Sequence, residues 1–145
     1  MTKKRQRKLK SEETLRRHVL ISTIRPRIDL SMRDASGPNP EPVSDCGLEL
    51  RGTMTEPVRD VQDVTLNLWV DRNYRVGKNR PASVGFITQI RPAVGVIAPC
   101  RPVDFEYLWS LALSGQLTHA YLHFTKPRYR SASVLSMAFS NQPEE

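Results

Sequence analysis

The strongest limit on how this chain can fold is an alternation of apolar and polar residues that recurs along most of its length. Val64, Leu66, Leu68 and Val70 fall on one side of residues 63–71, with Thr65, Asn67, Trp69 and Asp71 on the other. After Pro26, Ile28, Leu30 and Met32 alternate with Arg27, Asp29, Ser31 and Arg33; before it, Val19, Ile21 and Thr23 alternate with Leu20, Ser22 and Ile24. A period of two with one apolar face is the pattern of a half-buried strand. Pro26 has no N–H to give a ladder and should mark a bulge or an edge. The 11 prolines break the pattern into short pieces. Residues 34–45, DASGPNPEPVSD, read as a surface loop, and residues 82–98 as two strands parted at Arg91-Pro92.

The end of the chain reads as a hairpin. Ala120, Leu122 and Phe124 share one face of residues 117–125. Leu135, Met137 and Phe139 share one face of residues 132–140, and KPRYRS lies between the two. Only residues 104–114 carry the helical period: Phe105, Leu108, Trp109 and Ala112 stand at i, i+3, i+4 and i+7. Asp104 suits the N-cap, Val103 can staple to Leu108, and Gly115 suits the position just past the end. Strands do not alternate with helices, which excludes a doubly wound α/β fold. The expected fold is mainly β, an antiparallel β-sandwich or open barrel of about eight strands. One short helix, about 104–114, should close an end or edge. Trp69 on a polar face implies a covering layer, because large aromatics bury most of their area.

Charge is distributed unevenly. Residues 1–17 hold Lys3, Lys4, Arg5, Arg7, Lys8, Lys10, Arg16 and Arg17 against Glu12 and Glu13, so this stretch carries +6 of a total of +7. Residues 18–145 contain 14 basic and 13 acidic residues, a balance of +1. The division is therefore a basic, flexible tail over 1–17, kept disordered by self-repulsion, and a single β-rich domain over 18–145. A chain with a pI near 9.8 suggests a nucleic-acid-binding domain, but the split places that basicity in the tail. The apolar run after the tail, Val19-Leu20-Ile21, is too short for a secretory h-region. No stretch reaches the ~18 apolar residues of a membrane span. The expected location is cytoplasmic, where Cys46 and Cys100 would stay reduced.

The sequence offers little chemistry. His119 and His123 have the i, i+4 spacing of a helical zinc pair. In a strand they stand ~13 Å apart, too far to share one metal. Gly77-Lys78 lacks the rest of a phosphate loop. Asp60 and Asp63 suit a turn into a strand, and Asp104 and Glu106 suit a helix start. These residues indicate no catalytic centre, cofactor or metal. Two loops interleave cations with an aromatic. In RNYRVGKNR, Arg72, Arg75, Lys78 and Arg80 surround Tyr74, and in KPRYR, Lys126, Arg128 and Arg130 surround Tyr129. Cations bind phosphate and tyrosine stacks on bases, although hairpin tips commonly carry exposed cations. Two readings follow. In the first, the β-domain is a non-enzymatic binding or adaptor module that engages a protein partner, assisted by the cationic tail. In the second, the tail and both loops bind nucleic acid. The near-neutral domain favours the first.

Overall fold

A computed structural model describes residues 13–74 and 83–143. Seven strands close into a barrel in the order β1-β2-β3-β5-β4-β7-β6. They are β1 (Thr14–Arg33), β2 (Glu41–Val58), β3 (Val61–Val70), β4 (Gly85–Gln89), β5 (Val94–Cys100), β6 (His119–Thr125) and β7 (Ala132–Ser140), with one helix, α1 (Pro102–Leu113), between β5 and β6. The fold is thus mainly β with one short helix, and the barrel is closed, not open. Six of the seven pairings are antiparallel; β3 and β5 run parallel. The first strand begins four residues before His18, so Leu15, Arg16 and Arg17 belong to the barrel. They pair with Phe124, His123 and Leu122 of β6.

The barrel interior is filled by the alternating apolar residues. Leu48, Leu50, Val64, Leu66, Leu68, Val94, Val96, Ala120, Leu122 and Phe124 are all 2% exposed or less. Two bulges shift the alternation. In β1 the pairing with β2 slips between Ile21 and Thr23, so Val19, Ile21 and Ile24 all reach the core. In β7 a slip opposite His123/Phe124 buries Ala132 and Val134 before the inward phase passes to Met137 and Phe139. The bulge therefore falls at Ser22, and Pro26 lies on the part of β1 that pairs only with β2, an edge as its missing N–H requires.

Helix α1 covers the end of the barrel where β5 finishes, and its Phe105 and Leu108 join the core. It starts two residues earlier than its apolar spacing predicts. Arg101 stands at the N-cap without a side-chain cap bond and Pro102 opens the first turn, where a proline loses nothing. Asp104 instead takes a two-pronged ion pair from Arg101, with Nε at 2.7 Å. Val103 is half exposed, so the expected staple does not form. Gly115 stands past the C-terminus at φ +73, as predicted.

The largest departure lies in residues 34–45. Glu41–Cys46 pair with β1 in register, from Arg33↔Glu41 to Ile28↔Cys46, and only residues 34–40 remain a turn. Neither β3 nor β6 reaches these residues: β3 pairing stops at Gly47↔Trp69 and β6 pairing at Leu20↔His119. A two-stranded ribbon of six residue pairs, ~20 Å long, therefore projects from the barrel.

A candidate interaction surface at the ribbon and helix

Residues opposite each other in an antiparallel pair lie on the same face. The register thus continues the barrel's inner face out along the ribbon. Beyond buried Leu50 and Leu48 come Cys46, Ser44 and Pro42, opposite Ile28, Leu30 and Met32. The outer face is charged and pairs within itself, Arg27 with Asp29 at 2.9 Å and Arg33 with Glu41 at 3.9 Å. Among the described residues nothing covers the inner face: Ile28 is 55%, Leu30 81% and Met32 51% exposed. At its base it runs into a groove of about 670 Å³ against α1, lined by Ile28, Cys46, Val70, Phe105 and Trp109, with Arg72 and Glu106 at the margin.

Trp69 is also partly uncovered. No second layer of the described residues lies over it. It stands 38% exposed on the outer face, in register with Gly47 and Pro99.

The two Arg/Tyr loops lie at opposite ends of the barrel. Arg72 and Tyr74 follow β3 at the ribbon end, where Arg72 donates to Ser44 Oγ at 3.1 Å. Arg75, Lys78 and Arg80 lie outside the described residues. Lys126, Arg128, Tyr129 and Arg130 form the β6–β7 turn at the other end. They neighbour the start of β1, where Lys126 N–H donates to Glu13 O at 2.8 Å. The ten residues of β3, ~33 Å of strand, separate the two ends, so one combined patch does not form. Lys3, Lys4, Arg5, Arg7, Lys8 and Lys10 of the tail lie outside the described residues; the chain enters the barrel at the β6–β7 end.

The charges of the described residues are divided unevenly between the two halves of the barrel. Of the described residues, the half around the β6–β7 turn holds Arg16, Arg17, Arg59, Arg91, Lys126, Arg128 and Arg130, seven cations, against Glu13, Glu56, Asp60 and Asp63. The ribbon half holds six cations, at 25, 27, 33, 51, 72 and 101. Against them stand eight carboxylates, at 29, 34, 41, 45, 49, 71, 104 and 106. Among the described residues the first half therefore sums to +3 and the ribbon half to −2; Arg75, Lys78 and Arg80 enter neither sum. Sequence reading missed Arg59 and Arg91, because their place beside the 126–130 turn depends on strand order.

The histidines are in strands, as their surroundings indicated. His18 joins them on the outer face, with its Nε2 2.8 Å from His119 Nδ1 and its ring stacked on Tyr121 at 4.6 Å. Among the described residues no group of three or more His, Cys, Asp or Glu is placed to hold a metal ion. Cys46 and Cys100 are free thiols. Cys100 pairs with Val70, and Cys46 lies one step beyond the Gly47↔Trp69 pair. They are thus two strands apart, ~9.5 Å, beyond the reach of a disulfide. Burial, with the nearby Asp104 carboxylate, raises the Cys100 thiol to about 11. No helix among the described residues is long and apolar enough to cross a membrane.

No family model matches this chain, and neither does any curated protein or solved structure.

Proposed function

We propose that this chain is a non-enzymatic binding or adaptor module whose β-domain engages a protein partner, with the basic tail adding electrostatic attraction. The observation that carries this reading is the apolar ribbon face. Ile28, Leu30 and Met32 are half to four-fifths exposed, and they continue a face that is fully buried inside the barrel. Burying a fully exposed large aliphatic side chain contributes about 1.5–3 kcal/mol, and a partner that covers Leu30 with the exposed halves of Ile28 and Met32 gains a share of that at each. A two-stranded ribbon alone is only marginally stable in water, so a partner that covers it also steadies it. The groove at its base offers a concave pocket lined by Phe105 and Trp109, the kind of recess into which interface anchors insert. The mixed charges at its rim, Arg72 and Glu106, suit a polar interface edge.

The test is a double substitution, Leu30→Asp with Met32→Asp, which leaves the barrel core intact. Circular dichroism and Tm should match the parent chain. A protein retained from a lysate by the parent and then purified should bind the parent in calorimetry and lose at least 30-fold in affinity for the variant. Equal affinity for both would remove the ribbon from the interface. Self-association of the parent that the variant abolishes would make the partner a second copy.

A further inference from the structure

The end of the barrel opposite the ribbon carries an independent feature. β2 and β3 are joined by a two-residue turn, Val58↔Val61, whose central residues Arg59 and Asp60 stand at φ +46 and +66. Two positive φ values are the mark of a type I′ turn, a position that favours Asn-Gly. The β6–β7 turn beside it puts Tyr129 at φ +57. Three of the four non-glycine residues with positive φ among those described thus meet at one spot; the fourth, Asp34, is in the ribbon turn. Arg59 ties the two turns together by donating to the carbonyls of Tyr129 and, at 2.7 Å, of Pro127. Arg91 in turn donates to Arg59 O at 2.9 Å.

Left-handed backbone at a bulky residue costs on the order of 1–3 kcal/mol and persists only when its surroundings enforce it. Here the enforced residue contributes nothing to the core, for Tyr129 is 91% exposed. Arg128 and Arg130 flank it, also exposed, and the described charges of this half of the barrel sum to +3. A solvent-facing phenol ring on a braced turn, with Arg128 and Arg130 as its chain neighbours, combines a stacking platform with phosphate ligands.

From this we propose that the β6–β7 turn, braced by Arg59 and Arg91, is a binding site for single-stranded nucleic acid. Arg128, Arg130 and Lys126 hold the phosphates and Tyr129 stacks on a base. A duplex keeps its bases stacked inside and offers Tyr129 no face, so the ring confers the preference for single strands. The site is separate from the apolar ribbon and does not depend on the ribbon binding a protein.

The test is fluorescence anisotropy of the full chain with a labelled 20-nucleotide single strand and with its duplex, from 50 to 200 mM salt. Tyr129→Ala should weaken single-strand binding roughly tenfold and change duplex binding less than twofold. Tyr129→Gly, which relaxes the backbone, should do the same with the fold kept, and Tyr129→Trp should retain binding. Arg128→Ala with Arg130→Ala should flatten the salt dependence for the single strand by roughly 0.7 for each phosphate that is no longer neutralised. Arg27→Ala, on the outer face of the ribbon at the other end, should leave both affinities unchanged. Equal losses on strand and duplex for Tyr129→Ala would overturn the stacking role. Unchanged affinity and slope for the double arginine variant would overturn the site and place any nucleic-acid binding elsewhere in the chain.

Discussion

Ile28, Leu30 and Met32 obey the same alternation as Leu66 and Leu68, yet the first three are exposed and the others buried. Periodicity reports which residues share a face; what lies against that face depends on which strands reach it. Trp69 teaches the same lesson in reverse, since the sequence implies a cover and the fold sets the small Gly47 and Pro99 in register beside it, leaving it 38% exposed. Two other single residues give sharp expectations. A Cβ at Gly52 would stand 2.8 Å from Val19 Cγ1 and closer still to the Leu20 carbonyl oxygen. Backbone must then move, and Gly52→Ala should cost about 1–3 kcal/mol in urea unfolding. Cys100, raised to about 11, keeps its proton at pH 8, when an ordinary thiol is already part thiolate. Its alkylation by iodoacetamide, followed by peptide mass spectrometry, should run about 100-fold slower than that of free cysteine. The sign for stability follows. The folded thiol titrates above the unfolded one at 9.0. Its contribution is therefore whole below pH 9 and is lost as pH climbs from 9 towards 11.

At the scale of elements, β3, β4, β5, β6 and β7 were legible from alternation and punctuation, and α1 from one apolar stripe. The bulges at Ser22 and beside Leu135 were not, because a single unpaired residue leaves no compositional mark. The ribbon was half legible. Its first strand shows clean alternation, whereas Glu41-Pro42-Val43-Ser44-Asp45 carries a proline and few apolar residues and reads as loop; pairing with β1 decides it. The ribbon face and the barrel core, though continuous, should behave differently. Leu30→Ser should change unfolding free energy by less than about 0.5 kcal/mol, while Leu50→Ala, in the packed interior, should cost about 2–5 kcal/mol. A large loss for Leu30→Ser would mean that the ribbon folds back onto the barrel.

At the scale of the whole molecule, the two ends of the barrel carry different features. One holds the apolar ribbon face and α1, and the other holds three positive-φ residues, seven of the described cations and the start of β1. The sequence showed the basic tail and both Arg/Tyr loops, but strand order decides which end each occupies. The order β1-β2-β3-β5-β4-β7-β6 sends the β6–β7 turn to the start of β1, leaves Arg72 beside the ribbon, and brings in Arg59 and Arg91 from sequence positions with no motif of their own. The proposed ribbon interface and the proposed turn site are thus separated by the length of the barrel.

Photo-crosslinking at the ribbon tests the central claim most directly. A benzophenone amino acid placed at Leu30 in the otherwise intact chain, irradiated in extract of the source cells, should yield a discrete covalent adduct with another protein. The same label at exposed Gln62, beside the β2–β3 turn, should not. The two labels yielding the same adducts, or none from position 30, would contradict the account of the ribbon as the surface that binds a protein partner.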